Sequence, residues 1–341
     1  MAQNRLVILY VEGSFGIGKT TVLNQIVNSS EYLFSRARVN EPMRAWRSWF
    51  TDDHDSIKEV YETQKNKDTG FLGLRESSKS ICYAQLSLSA PFYIMNNIIG
   101  SRLNGLTQAP AKNLDGQDYL LLFDRHPIAS CFCFPLARFI SGYLEYTDMF
   151  ALASTMPDSY ISQSAIAILD LDIEEQARRI IERSRNGEHA NINFLRVLRN
   201  VFVIVYNSVV YLKNTSACNR QLTGKILRDF RDSDFELKIK NNDLKPLTDP
   251  KLGETVFAVL ADSASLSDSQ QTALYTYAIE KIANVLQSLN VFFIKIDKLS
   301  VNECADKIIE LSSESASLLI EKNTAETLFK TVNAYNIDMT V

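Results

Sequence analysis

The chain has 341 residues, 46% of them hydrophobic and 22% charged, with a formal net charge of −4. This is the composition of a globular protein with room for a large core, and its mild negative charge gives no global attraction to nucleic acid or anionic membrane. The five cysteines show no repeated CxxC spacing. Cys131 and Cys133 sit in an apolar run and read as buried thiols rather than zinc ligands or disulfides. The start has no signal-peptide pattern and no run reaches the ~20 apolar residues of a membrane span, so an intracellular protein is expected.

In chain order, Arg5 to Gly13 reads as a short buried strand running into a glycine-rich turn, and Lys19 to Val27 as a helix. A second strand around Arg38-Val39-Asn40 ends at Glu41-Pro42, where proline stops pairing. Ser77 to Ile99 is helical, with a kink expected at Pro91. A third strand, Asp118 to Phe123, ends at Asp124-Arg125-His126-Pro127, and a helix follows to Gly142. A fourth, Ala165 to Leu169, ends at Asp170-Leu171-Asp172. Helices over Ile173 to Ser184 and Asn193 to Leu212 come next, and Val291 to Ile296 supplies a fifth strand. Gly100–Gln117 and Gln221–Gly253 carry turn residues and charges and read as insertions or surface loops. Short buried strands alternating with helices predict an α/β fold, a parallel sheet covered on both faces. Ligands bind such sheets beyond the carboxyl ends of the strands, where Gly13, Glu41, Asp124 and Asp170 all fall.

The segment Gly13-Ser14-Phe15-Gly16-Ile17-Gly18-Lys19-Thr20 has the spacing G-x-x-x-x-G-K-T. Its glycines let the backbone curl until its N–H groups face a polyphosphate, and the helix N-terminus adds a favourable dipole. Lys19 reaches the outer phosphates and the Thr20 hydroxyl is placed to ligate Mg²⁺, while Thr21 continues the binding segment. The placement between an apolar strand and a helix is the motif's own confirming context. A conventional GTPase would add a base-reading N-K-x-D, and none is present.

Phosphoryl transfer further needs charge neutralisation and an acceptor oxygen that loses its proton. Arg179 and Arg183 share a helix face four residues apart, and Arg185 follows where the helix meets Asn186-Gly187. They can close over phosphates as a lid, although a solvated basic helix end is the plain alternative. Glu41 can accept a proton from a substrate hydroxyl. Asp124-Arg125 offers a carboxylate for the magnesium shell beside an arginine for the acceptor, with Asp170 and Asp172 as rival metal ligands.

Several segments together resemble the thymidine kinases of herpesviruses, within the deoxynucleoside kinases. They are Glu12 to Thr21, Glu41-Pro42-Met43 with Trp46-Arg47, Tyr61-Glu62-Thr63-Gln64, Ala84-Gln85, Asp124-Arg125-His126-Pro127-Ile128-Ala129-Ser130, Cys133 to Arg138, Arg185-Asn186-Gly187-Glu188 and Leu198-Arg199-Asn200-Val201. The phosphate loop starts near the N-terminus, as in the shorter, alphaherpesvirus-like members. The resemblance implies a single P-loop nucleoside kinase domain with five parallel strands, a lid over about 179–188 and a loop-rich insertion over about 219–254. It implies ATP- and Mg²⁺-dependent 5′-phosphorylation of thymidine, in salvage that supports viral DNA synthesis, by a homodimer without nucleic-acid or membrane partners.

By the same resemblance Glu41 is the general base, Arg125 lies near the 5′ oxygen and Arg179, Arg183 and Arg185 form the lid. Tyr61 and Glu188 hold the 3′-hydroxyl, Leu88 and Phe134 sandwich the base, and Trp46 walls the pocket. Gln85 reads the pyrimidine edge, and as a free amide it serves thymine or, flipped, cytosine. Helical spacing puts Gln85, Leu88 and Phe92 on one face. Leu88, Phe92 and Ser130, all expected to bind substrate, differ from some relatives. Glu182 stands where a basic lid residue is expected. A broader deoxynucleoside kinase, a thymidylate kinase and a noncatalytic nucleotide-binding protein are the alternative readings.

Overall fold

The run Leu6–Val11 alternates between two separate cores, which places it in the middle of a sheet. In a computed structural model describing residues 4–48, 55–157, 164–184, 190–215, 235–263 and 269–340, it forms β1 (Asn4–Glu12). Leu6, Ile8 and Tyr10 face one apolar cluster, and Val7, Leu9 and Val11 face the other. The second cluster is closed by α1 (Lys19–Asn28) through Val22, Leu23 and Ile26. A strand buried on both faces is therefore continuously apolar, as parallel sheets require. Each such side chain contributes about 1.5–3 kcal/mol of burial.

The remaining strands are β2 (Ser35–Val39), β3 (Gln108–Ala109), β4 (Tyr119–Asp124), β5 (Ser164–Asp170), β6 (Leu289–Lys295) and β7 (Ser317–Ile320). The order is β2-β4-β1-β5-β6, and these five pair in parallel. This is the expected five-stranded parallel sheet with two additions. β7 runs antiparallel to β1 along Asn4–Val7, on the side that β5 takes from Leu9 onward, and β3 pairs with β7. Sequence order reverses around β1, so a crevice opens at the carboxyl ends beside it.

The helices that frame this crevice are α2 (Met43–Ser48), α3 (Ser56–Asp68), α4 (Leu74–Met95), α5 (Phe134–Ile140), α6 (Tyr146–Ser154), α7 (Ile173–Arg183) and α8 (Ile192–Asn214). α4 runs through Pro91 and passes into a π-helical turn at Asn96–Gly100. Another π turn, Ala129–Cys133, leads into α5. Cys131 and Cys133 are buried there, as expected, and Cys304 is buried elsewhere. α8 is the one described helix long and apolar enough to cross a membrane, contrary to the expectation that no stretch reaches that length, and 67% of its apolar window is buried inside the protein. C-terminal to these lie α9 (Ser269–Gln287), α10 (Val301–Ser312) and α11 (Lys322–Met339).

Within the segment expected to be a loop-rich insertion, residues 235–254 are described. Phe235–Asn241 is a short helix whose Phe235 and Ile239 are buried, one turn apart. It is fastened to α8 by Asn200, whose Nδ2 donates to the Ile239 and Asn242 carbonyls at 2.7 Å and whose Oδ1 accepts from Leu244 N at 3.0 Å. Residues 219–234 lie outside the described residues. Asn200→Leu leaves these backbone groups unpaired and is expected to destabilise the protein by about 3 kcal/mol. Urea unfolding followed by circular dichroism reads this loss, and an unchanged midpoint contradicts the tether.

Candidate active site

β1 delivers the phosphate loop at its carboxyl end. Gly13, Gly16 and Gly18 have φ of 129°, 79° and 98°, a region costly for residues with a Cβ. A Cβ at Gly13 would also lie 2.5 Å from the Leu169 carbonyl oxygen of β5. Gly18 caps α1, which has neither a side-chain cap nor an acidic residue in its first turn. Its first N–H groups are thereby kept for an anion. Lys19 is buried and donates to the carbonyls of Ser14 at 2.8 Å and Gly13 at 3.5 Å. Burial, with Arg125 nearby, pulls its pKa down to about 8. Gln176 of α7 donates to Ser14 Oγ at 2.7 Å and to the Phe15 carbonyl at 2.6 Å, joining α7 to the loop.

Three strand ends bring Glu12, Glu41, Asp124 and Arg125 together. Arg125 has a positive φ of 86°, and its N–H donates to the Val11 carbonyl at 3.2 Å. Its Nε donates to Glu41 at 2.5 Å, and its Nη1 to the Gly13 carbonyl at 3.0 Å and Glu12 at 3.4 Å. Glu12 also accepts from the backbone N–H groups of Gly13 and His126. Burial pushes its carboxyl up to about 7 despite the opposing pull of Arg125 and Lys19. Asp124 accepts from the Thr20 hydroxyl at 2.7 Å, and its Oδ1 is buried without a hydrogen-bond partner. Burial, and then the neighbouring Glu41, raise its pKa to about 6. His126 is buried and held neutral, its pKa pulled down to about 3.

A cavity of about 460 Å³ extends from the loop, reaching from Lys19, Thr20 and Thr21 past Glu41 and Arg125 to Gln85. Of the expected substrate residues, Trp46, Tyr61, Gln85, Leu88, Ser130 and Phe134 line it. Phe92 does not. It is fully buried behind Trp46, with ring centroids 6.1 Å apart. Trp46 does line the cavity, and its indole donates to the Leu88 carbonyl at 2.9 Å.

Gln85 is 1% exposed. Its Nε2 donates to the Ser130 carbonyl at 2.7 Å, and its Oε1 accepts from Arg138. The opposite flip would face NH₂ toward a guanidinium and oxygen toward a carbonyl, so these neighbours fix the amide. Arg138 is itself buried, with its pKa pulled down to about 10. Arg125 and Arg138 each stack over Phe134, at 5.2 and 5.5 Å from its centroid.

Arg179 and Arg183 line the cavity from α7, whereas Arg185 and Glu188 lie outside the described residues. Glu182 takes no cavity position. It accepts from Arg178 one turn earlier on the exposed face, so its charge is paired there. Asp170 is held by Arg199 through two bonds of 2.7 and 2.9 Å. Asp172 caps α7 by accepting from Glu174 and Glu175 N–H. Both rivals of Asp124 thus have structural partners. Glu12, Arg138 and Gln176 were not among the site residues expected from sequence. Glu12 alone had a local signal, a carboxylate at a strand end beside the glycine loop.

Fold and cavity together define a P-loop fold of the nucleoside kinase type. The family described as thymidine kinase from herpesvirus matches residues 13–296. The chain is 51% identical over 338 residues to the thymidine kinase of Psittacid herpesvirus 1, covering 99% of each. It is 35% identical over 337 residues to that of infectious laryngotracheitis virus, covering 98% of this chain and 92% of that one. The crystal structure of EHV4-TK complexed with Thy and ADP matches with a TM-score of 0.87 at 26% identity, covering 100% of both chains. The chain belongs to the herpesvirus thymidine kinase family.

Gly13→Ala combines a forbidden φ with a backbone clash and is expected to weaken ADP binding by more than about tenfold, equivalent to ~1.4 kcal/mol. Gly142→Ala also falls at a positive φ, 81°, but with nothing within 4 Å, and it should leave ADP binding unchanged. Equal effects of the two in calorimetry would refute this account of the loop.

Proposed function

We propose that the chain transfers the γ-phosphoryl group of ATP to the 5′-hydroxyl of thymidine. The observation that carries this reading is the fixed Gln85 amide at one end of a cavity whose other end is the phosphate loop. With Oε1 toward Arg138 and one Nε2 hydrogen on Ser130, the second hydrogen is available to thymine O4. The remaining Oε1 lone pair accepts from thymine N3–H. Cytosine would set an amino donor against Nε2 and an unprotonated N3 against Oε1, so the same amide disfavours it. Leu88 and Phe134 enclose the base and Trp46 closes the wall. Tyr61, with Glu188, is assigned to the 3′-hydroxyl.

At the junction, Glu41 accepts the 5′-hydroxyl proton as the new O–P bond forms and the bond to the bridging β-phosphate oxygen breaks, releasing ADP. Arg125 holds Glu41 in place and faces the same space. Arg179 and Arg183, and by family likeness Arg185, neutralise charge on the moving phosphoryl group. Lys19 and the backbone N–H groups of 13–21 hold the donor phosphates.

The residues present fit Mg²⁺. Asp124 has an unpartnered buried oxygen beside the Thr20 hydroxyl. No cluster of three or more protein ligands occurs among the described residues, as suits an ion sharing nucleotide oxygens. Bound there, it would screen the phosphate charge. The family relationship also brings the homodimer and the role in viral nucleotide salvage into this proposal.

A panel of thymidine, deoxycytidine and thymidylate with ATP and Mg²⁺ tests the reading. Thymidine should be phosphorylated, and Glu41→Gln should lower kcat about a hundredfold to ten-thousandfold. No turnover of any pyrimidine nucleoside would sink the proposal. Gln85→Leu should lower thymidine kcat/KM about tenfold to several hundredfold. Arg138→Met frees the amide to flip and should narrow the thymidine-to-deoxycytidine preference by about tenfold. An unchanged ratio removes Arg138 from base selection.

Metal binding requires Asp124 ionised, whereas its raised pKa keeps it protonated below about 6. The Mg²⁺-dependent gain in ADP affinity should therefore be constant above about pH 6 and fall about tenfold per unit below it. Calorimetry with and without chelator reads this gain, and Asp124→Asn should abolish both the gain and its pH dependence.

A further inference from the structure

The strand that delivers Glu41 leaves its ladder before reaching it. The last β2–β4 pair is Val39 with Phe123, and Pro42 blocks further pairing. β2 is also an edge strand, whose outer backbone groups need partners from elsewhere. Asn336, near the end of α11, meets that edge. Its Nδ2 donates to the Arg38 carbonyl at 2.7 Å, and its Oδ1 accepts from the Asn40 N–H at 2.9 Å. In a parallel ladder a residue bonds the C=O and the N–H of the two residues flanking its partner. The Asn336 amide makes this pair of bonds opposite Val39, as an absent strand would.

Further contacts hold the same point. Arg38 Nε donates to the Asn40 side chain, and its Nη1 reaches Asn24 Oδ1 at 2.5 Å and the Thr20 carbonyl at 3.3 Å. Beyond it, the Glu41 carbonyl accepts from Met43 N at 2.8 Å. α11 itself is anchored by the buried stripe Ala325, Leu328, Val332, Tyr335 and Met339. This helix lies beyond residues 13–296 that match the family.

We propose that Asn336 is a positioning residue for phosphoryl transfer, its side-chain amide acting as a one-residue strand that fixes the β2 end from which Glu41 reaches the acceptor hydroxyl. The inference rests on Glu41 serving as the base. Asparagine suits the task because it donates and accepts at one reach. Aspartate keeps only the bond from Asn40, and leucine keeps neither.

Steady-state kinetics on the full chain, together with ADP calorimetry to count binding-competent protein, test it. Asn336→Leu should lower thymidine kcat about tenfold to a hundredfold, the cost of a misplaced reacting group, with ADP affinity unchanged. Asn336→Asp should fall between it and the wild type. In a Glu41→Gln background, Asn336→Leu should cost less than about twofold more, because coupled residues are not additive. Wild-type kcat in Asn336→Leu, or losses that multiply with those of Glu41→Gln, would overturn the positioning role. Full turnover in Glu41→Gln alone would instead overturn the base assignment. If Asn336→Leu gives little folded protein, the cycle with Asn336→Asp separates coupled from multiplying losses in the same way.

Discussion

The guanidinium of Arg125 is buried where three strands end, and its neighbours are arranged around its charge. Glu12 and the Gly13 carbonyl hold Nη1, while Glu41 holds Nε. Taking a carboxylate away from a buried arginine of this kind costs on the order of 3–5 kcal/mol, because the remaining charge is left in a low dielectric. The main chain at Arg125 accepts a left-handed φ to bring this about. The strain has a structural consequence, since one side chain sets the spacing between the loop, the β2 end and the wall that carries Phe134. With Lys19 the cluster has two cations against Glu12, Glu41 and Asp124. Burial then raises two of those acids, Glu12 to about 7 and Asp124 to about 6.

How far the site was legible in sequence depended on whether its requirement is local. The phosphate loop is a backbone requirement met by consecutive residues, so its glycines and its flanking strand and helix declared it. Glu41, Asp124 and Arg125 were legible as polar residues ending apolar strands. Gln85 could be named but its orientation could not, because Arg138 is 53 residues away in the chain. Phe92 shows the limit of periodicity. Its spacing from Gln85 and Leu88 was right for one helix face, but Trp46 from another element occupies the wall it would have formed.

The fold was legible where strands are buried on both faces and less so toward the C-terminus. β7 has only four residues, Ser317–Ile320, too few for a run of apolar residues to distinguish strand from helix. α10 does carry a local signal, the capping box of Ser300 with Glu303. Glu182 was misleading for a different reason. Neighbouring residues on α7 face different ways, so its partner is Arg178 on the exposed side rather than anything in the cavity.

The bonds from Lys19 to the Ser14 and Gly13 carbonyls tie the ammonium to the backbone of its own loop. An ammonium carries three donors, so these two bonds shape the loop and leave one donor for a further oxygen. The loop is thereby organised by its own side chain, and capture of an anion does not have to wait for it to fold.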